Sequence, residues 1–587
     1  MKTPTFTTIL VAALLFFPCS GQADEVDLAG IWRGDIDPEG QALELVFHIA
    51  SDGDGGWRGN VDTPAQNSYG LPLSEISVGE DGVVTIVVAI TGGRYEARLG
   101  DDGKQLTGLW KQRGAELTLD CSHEPAAPAM PAELAASLAG IWEGILDVGA
   151  LQLRLVITLE GGEDGVLGGH MVSPDQGPEE VPVTRVDYLQ ERTVRISVGA
   201  LGVSFEVALS DEGDEFAGKF RQGAGVFDIT LEKTDKVTEV NRPQEPKPPF
   251  PYKEEEVSYV NEAAAVTFAG TLTLPEGDGP FPAALLITGS GRQDRDEALF
   301  GHRPFYVIAD HLTRRGIAVL RVDDRGKGGS TRGDDLDGVT TLDFVGDALC
   351  GVAYLKSRSE IAGDRIGLIG HSEGGVIAPL AAVRSDDVAF IIMLAGTGIR
   401  GDRLLQMQAE LIGKASGTDG EELETDLDLQ KRLFAVLLDG NLNDEDLRSK
   451  MEALIRKSPT LSEGEQGEGE IEAAIDQLTS PWIRWFLRYD PAPTLEKVRC
   501  PVLALNGTLD LQVPCRENLE AIDAALERGK NGDFTTTELI LLNHLFQHAE
   551  TGAPSEYGKI EETFAPEALE LMAKWINKRF GGASKGS

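Results

Sequence analysis

Gly370-His371-Ser372-Glu373-Gly374-Gly375 follows the apolar run Arg365-Ile366-Gly367-Leu368-Ile369 and precedes the helix-like run Val376 to Val383. A serine therefore stands at a strand-to-helix turn, where a nucleophile elbow belongs. So tight a turn brings backbone close to the positions two before and two after the serine, which must then be small. Gly370 and Gly374 meet that need. Glycine is common here, 69 of 587 residues, and a chance Gly-x-Ser-x-Gly is expected at roughly a few tenths per chain. The string gains its weight from the strand before it, the helix after it and the residues downstream.

A serine hydroxyl is a poor nucleophile until an imidazole takes its proton and a buried carboxylate orients that imidazole. At an elbow of this kind the order along the chain is serine, acid, histidine. Of eight histidines, His48, His123 and His170 lie in the N-terminal half and His302, His311 and His371 precede the serine. His544 and His548 remain. His544, just after the expected last strand Glu538 to Leu542, is favoured, and His548 stands one helical turn on. Asp510, in the loop after the strand Pro501 to Asn506 with Gly507 permitting the turn, is the expected acid; capping the next helix is its structural alternative. The backbone N–H of Glu373 comes with the elbow as one oxyanion donor. The second is expected from Gly289-Ser290-Gly291, at Gly291, with Ser290 next. The charged tail of that loop, through Asp294-Arg295-Asp296-Glu297, is expected to form ion pairs that fix its shape.

Around the elbow, apolar strands alternate with helices. The strands are Ala283 to Thr288, Ile317 to Val322, Arg365 to Ile369, Val388 to Leu394, Pro501 to Asn506 and Glu538 to Leu542. The helices are Phe305 to Arg315, Leu342 to Lys356, Gly374 to Val383, Arg516 to Leu526 and Pro566 to Arg579. Alternation of this kind predicts an α/β fold, a mostly parallel sheet covered on both faces, opened by a hairpin within Val257 to Leu274. A charge-rich helical stretch of about 400–490 interrupts it, including Leu404 to Leu411, Asp426 to Leu438 and Glu470 to Leu478. It reads as a cap over the site, or else as a lateral embellishment.

The N-terminal half has a different grammar. Leu28-Ala29-Gly30-Ile31-Trp32-Arg33-Gly34 recurs as Leu138-Ala139-Gly140-Ile141-Trp142-Glu143-Gly144, and the offset persists from Pro72 to Pro182 and from Gly108 to Gly218. This is a tandem duplication. Period-2 runs such as Leu43 to Ile49 make each copy all-β, a small up-and-down barrel or sandwich. Trp32 and Trp142 are core plugs or, on the sharper reading, part of a ligand-binding barrel. The expected organisation is a signal peptide at 1–23, β modules at 24–121 and 134–233, a proline-rich linker at 234–255 and a catalytic domain at 256–587.

Met1-Lys2, the apolar Ile9 to Phe17 and Gly21-Gln22-Ala23 predict export, secreted or periplasmic. Phe16-Phe17-Pro18 before Cys19 lacks the small residues of a lipid-anchor motif, and no apolar run is long enough for a transmembrane segment. Lys+Arg 53 against Asp+Glu 96, a net charge of -43, argues against nucleic acid and anionic membranes as partners. Cys121, Cys350, Cys500 and Cys515 are expected as free thiols: a strand separates Cys500 from Cys515 by roughly 20 Å, beyond the ~7 Å limit for bridged Cα atoms. No Cys/His cluster has zinc spacing.

Gly289-Ser290-Gly291 with Asp294 to Glu297, Gly301-His302-Arg303-Pro304-Phe305, Asp324-Arg325-Gly326-Lys327-Gly328-Gly329-Ser330, Gly370 to Gly375 and Asn543-His544-Leu545-Phe546-Gln547 together resemble the α/β-hydrolase superfamily. More narrowly they resemble bacterial carboxylesterases with a Gly-His-Ser-Glu-Gly-Gly elbow, related to the dienelactone hydrolase and prolyl oligopeptidase branches. The resemblance runs from about Pro248 to the C-terminus. It implies a serine esterase for small-molecule esters of short acyl chains, with Ser372, Asp510 and His544 as its triad and neither metal nor organic cofactor. A serine peptidase or acyltransferase of the same fold is the alternative within enzymes. A binding role through the β modules, toward an envelope or polymer partner, is the alternative outside them. Every triad candidate lies beyond the linker, so the modules are expected to recruit substrate or partner without taking part in chemistry.

Overall fold

The computed structural model describes residues 27–581 except 38–41, 53–55, 67, 80, 113, 125–129, 149–151, 162–166, 177–179, 224, 238–240, 334–337, 419, 458–470 and 472–473. The expected signal peptide, with Cys19, lies outside the described residues, as does the start of the helix expected at Glu470. By contact density the chain divides into a first unit holding most of the N-terminal β module and a second unit holding the remainder.

Each β module is one nine-stranded antiparallel sheet. In the first, strands pair with their neighbours in sequence, and the first strand, Gly30–Ile36, also pairs with the last, Ala115–Glu124. Among the described residues the ring is open at one seam, between the strands Ser68–Pro72 and Glu75–Val78. The second module has the same order strand for strand, with Gly140–Asp147 beside Gly225–Thr234. Of the two expected forms, an up-and-down barrel or a sandwich, the strand order is that of an up-and-down barrel left open at this seam. Trp32 and Trp142 are fully buried, and each indole N–H donates to the carbonyl four residues earlier, Leu28 and Leu138, at 2.9 and 2.8 Å. Both tryptophans are core residues whose one polar atom is satisfied inside the module.

The C-terminal part contains an eight-stranded sheet. Its strands are β1 (Tyr252–Asn261), β2 (Val266–Pro275), β3 (Phe281–Ile287), β4 (Ala318–Val322), β5 (Ile361–His371), β6 (Phe390–Leu394), β7 (Val502–Gly507) and β8 (Phe534–Leu539), in the order β1-β2-β4-β3-β5-β6-β7-β8. The pairs β1–β2 and β2–β4 are antiparallel, and all the others are parallel. Helices α1 (Pro304–Thr313), α2 (Thr341–Ser357) and α3 (Gly374–Ala382) lie within the first half. Helices α4 (Gly401–Ala415), α5 (Gly420–Leu438), α6 (Asp444–Ile455) and α7 (Pro481–Arg488) form the insertion, followed by α8 (Cys515–Arg528) and α9 (Pro566–Phe580). The central strands are buried on both sides: α2, α3 and α8 share one core with Leu285, Leu368 and Ile391, while α1 and α9 share the other with Leu286, Ile369 and Ile392. That is why these strands read as continuous apolar runs.

Three expectations need correction. The last strand is Phe534–Leu539, not Glu538 to Leu542. It is an edge strand of three threonines and a glutamate, half exposed, while Ile540 and Leu541 project into solvent in the turn beyond it; an apolar-run criterion therefore lands on the turn. The insertion holds two helices the periodicity did not reveal, α6 and α7. The third correction concerns the proline-rich linker, which does not simply span. Buried Arg242 donates to the carbonyls of Phe300 (2.8 Å), Gly558 (3.0 Å) and Ile560 (2.8 Å), and Gln244 accepts from the backbone of Thr563 and Phe564. Proline content sets backbone stiffness and is silent about such side-chain anchors. Cys121, Cys350, Cys500 and Cys515 are free thiols, and burial pushes those of Cys121, Cys500 and Cys515 up to about 12.

Removing the Arg242 guanidinium leaves the buried carbonyl of Phe300 and the partly buried ones of Gly558 and Ile560 without this donor, which costs about 1–3 kcal/mol for a group stranded away from water. Arg242→Ala is therefore expected to lower the melting temperature of the catalytic part by about 5–10 °C, measured by circular dichroism. The adjacent ring of Pro243 can make no hydrogen bond, so Pro243→Ala should shift the same transition by less than about 2 °C.

Candidate active site

Ser372 sits between the end of β5 and the start of α3 with φ 52, the left-handed region. Its amide donates to Leu394 O at 2.8 Å, anchoring the turn to β6. A Cβ on Gly370 would stand 2.0 Å from Gly374 O, and one on Gly374 would stand 2.2 Å from Ile287 O. No side chain fits either place, so the glycines are a steric requirement of the bend.

Asp510 and His544 come together from separate loops. Asp510 follows β7, and its Oδ1 accepts from the amides of Gln512 (2.9 Å) and Val513 (2.8 Å), which aims Oδ2 at His544 Nδ1, 2.9 Å away. Both side chains are buried, at 3% and 4% exposure. The His544 loop is held by Asn543, whose Oδ1 accepts from the amides of Leu545 and Gln547 at 3.0 Å each. His548 is elsewhere: half exposed, it pairs with Glu562 and Glu567 at 2.8 and 3.0 Å. Partial burial lowers its pKa, but those carboxylates outweigh burial and the net shift is upward.

Ser372 and His544 line one cavity of about 270 Å³, with Ser290, Glu373, Leu299, Leu404, Leu405, Trp482, Phe486 and Leu545 around them. Gly291 is not among its walls. It lines a neighbouring cavity of about 60 Å³ with Asp324, Arg325 and Asp347, whereas Ser290 lines the cavity that holds Ser372. Gly291 has φ 95, in the left-handed region.

Two residues set aside in the sequence are central here. His371 Nδ1 lies 2.9 Å from Glu297 Oε1 and its Nε2 lies 3.0 Å from His544 O. Burial opposes its charge, but the Glu297 carboxylate and the His544 carbonyl outweigh burial and raise its pKa. Glu297 Oε1 also accepts from Gly289 N at 2.8 Å. The rest of the charged tail behaves as expected, Arg295 gripping Asp323 at 2.8 Å and Arg303 gripping Asp296 at 2.8 Å. Glu297 departs from that pattern. The Glu373 side chain, whose pKa burial raises, accepts from Thr341 Oγ1 (2.6 Å), from Trp482 Nε1 (2.7 Å) in α7 of the insertion, and from Ser290. Trp482 had no local sequence signal, since its partner lies 109 residues away.

The second β module reaches this region through Leu153, which packs with Phe300, Leu545 and Tyr557. Leu545 follows His544, so the module supports the histidine loop from behind. Among the described residues no group of three or more His, Cys, Asp or Glu side chains could hold a metal ion, and no helix is long and apolar enough to cross a membrane.

The family model described as serine aminopeptidase, S33, matches residues 303–430. That segment contains Ser372 and ends before Asp510 and His544. An esterase of Thermotoga maritima, EstD, is 38% identical over 119 residues, 20% of this chain and 27% of the relative; the match thus spans about a quarter of that relative's length. Among solved structures, the Pyrococcus furiosus esterase Pf2001 has a TM-score of 0.35 at 15% identity, covering 59% of this chain and 100% of its own. The α/β hydrolase GrgF from Penicillium has a TM-score of 0.34 at 18% identity, covering 56% and 100%. With the strand order and the turn at Ser372, the C-terminal part has the α/β-hydrolase fold.

If Glu297 and His371 hold the loops in place, Glu297→Gln should lower turnover by about ten- to a hundredfold, the scale of a 1 Å misplacement, with KM changing less than about threefold. Steady-state kinetics on folded protein, verified by circular dichroism, measures the split.

Proposed function

We propose that this chain is an exported serine hydrolase that cleaves carboxylic esters through an acyl-enzyme. Ser372 Oγ attacks the ester carbonyl while His544 Nε2 takes its proton, and Asp510 holds the Nδ1–H tautomer and stabilises the imidazolium that forms. The tetrahedral oxyanion is met by the backbone N–H of Glu373 and, in place of Gly291, that of Ser290. His544 then protonates the departing alkoxide, and water, activated by the same imidazole, releases the acid. The observation that carries this reading is the 2.9 Å pair of His544 Nδ1 and Asp510 Oδ2, which leaves Nε2 for Ser372 on the cavity that serine and histidine share. Export, secreted or periplasmic, rests on residues 1–23 alone.

The matching family's description favours a second reading, an aminopeptidase. Such an enzyme needs a carboxylate free to receive the substrate's α-amino group. The two carboxylates lining this cavity are both engaged, Glu297 by His371 and Gly289, Glu373 by Thr341, Trp482 and Ser290. Apart from those carboxylates the wall mixes apolar side chains, among them Leu299, Leu404, Leu405 and Phe486, with the polar Gln293, Gln408 and Gln512, a surface that suits an ester's apolar acyl part and its polar carbonyl. Small ester substrates are the natural first assay.

The full-length protein is expected to hydrolyse p-nitrophenyl butyrate and leave amino-acid p-nitroanilides nearly untouched; the opposite preference would establish the peptidase. Ser372→Ala should lower ester turnover by at least about 10³-fold. His544→Ala should be nearly as damaging, and His548→Ala should change the rate by less than about tenfold. Reversal of the two histidines would move the base to His548.

A further inference from the structure

The insertion carries a second cavity, an open cleft of about 590 Å³, that the chemistry above does not use. Ile412, Leu423, Leu433, Phe434, Leu478 and Ile483 make most of its wall, with Thr418, Asp426 and Gln430 as polar members. A largely apolar cleft of this size lies in the range of ligand pockets, about 300–1,000 Å³. Its position gives it a use. Leu405 and Gln408 line both this cavity and the one holding Ser372.

Helix α4 connects the two. Leu404, Leu405 and Gln408 face the catalytic cavity, and Leu405, Gln408, Ala409, Ile412 and Gly413 face the inner one. Spacings of three and four residues put these on adjoining stripes of the helix, so its surface is a rail from the serine into the insertion. The side chains common to both cavities are the apolar Leu405 and Gln408, whose amide donates to Gln512 across 3.3 Å.

We propose that the inner cavity is an acyl-tail site and that the substrates are esters of medium-chain acids, the carbonyl at Ser372 and the alkyl chain running along α4 past Leu405 and Gln408. The proposal rests on the esterase reading of the site. From Leu404 to Gly413 the helix rises about 13 Å, the length of an extended chain of about ten carbons at roughly 1.25 Å each.

The test is a series of p-nitrophenyl esters from acetate to dodecanoate, run below aggregation concentrations on the full-length protein and on Ala409→Phe and Ile412→Trp, which fill the inner cavity. The quantity read is the ratio of kcat/KM for decanoate to that for butyrate within each protein, so a general loss of activity cancels. For wild type each methylene entering the cavity should add about fourfold, placing the optimum at octanoate to decanoate. In either folded variant the ratio should drop at least about tenfold. A wild-type optimum at acetate or butyrate, or a ratio unchanged in both variants, overturns the proposal while leaving the esterase reading intact. Failure to hydrolyse any ester in the series overturns that reading and the proposal with it. Competitive inhibition by decanoate, weakened in both variants, supports the site through a readout independent of turnover.

Discussion

The contact between Glu297 and His371 joins the three loops that any chemistry at Ser372 requires. Glu297 Oε1 receives both Gly289 N and His371 Nδ1, and His371 Nε2 reaches the carbonyl of His544. The loop carrying Ser290, the strand end carrying Ser372 and the loop carrying His544 are thereby tied through two side chains. A charged imidazole offers two donors and no acceptor, and both of its partners here are acceptors, which is why Glu297 and the His544 carbonyl overcome the penalty of burial. Both residues are nearly inaccessible, at 4% and 7% exposure. A buried pair of this kind is not a large net source of stability, but breaking it by removing one partner is costly, because the other charge is left without compensation.

Much of this site was legible in the sequence, for identifiable reasons. Gly370, Ser372 and Gly374 are set by local sterics, and local sterics are written in consecutive residues. Asp510 and His544 follow from chain order once strand β7 and the elbow are located, and the count of eight histidines leaves little choice. His371 and Glu297 were passed over because the same chain-order argument discards a histidine before the serine and treats a charged loop tail as scaffolding. Their roles exist only after the sheet brings residues 74 positions apart into contact. Gly291 was preferred to Ser290 because glycine permits close approach; in the structure Gly291 takes a positive φ, and it is Ser290 that lines the Ser372 cavity. For β8 the signal failed differently, since an edge strand has no need of an apolar run.

The N-terminal half shows what composition alone leaves out. Duplication and all-β character are visible as a constant offset and a period of two, and the buried pair Trp32 and Trp142 follows the same rule in both copies. Attachment of the second module and the linker to the catalytic part is not visible that way. It rests in part on Leu153, Arg242 and Gln244, single residues whose partners are backbone carbonyls and amides and, for Leu153, the side chains of Phe300, Leu545 and Tyr557. A proline-rich segment can be a spacer or a strap, and only the side chains between the prolines decide which.

The insertion acts on the site in two ways that share one element. Helix α7 supplies Phe486 to the wall of the cavity and, one turn earlier, Trp482, whose ring stacks on Phe486 and whose N–H holds the Glu373 carboxylate. The backbone of Glu373 is at the elbow, so the residue that shapes the Ser372 cavity also holds the side chain next to Ser372, whose amide is the oxyanion donor proposed above. This coupling explains why a carboxylate is tolerated in so dry a place: burial favours its neutral form, while Thr341, Trp482 and Ser290 offer the donors that an ionised form needs. Movement of α7 away from the sheet would open the pocket and withdraw one of those donors together. The shape of the pocket and the surroundings of the Glu373 carboxylate are therefore linked through a single indole, in an insertion whose helices also have a small core of their own, around Leu437 and Met451.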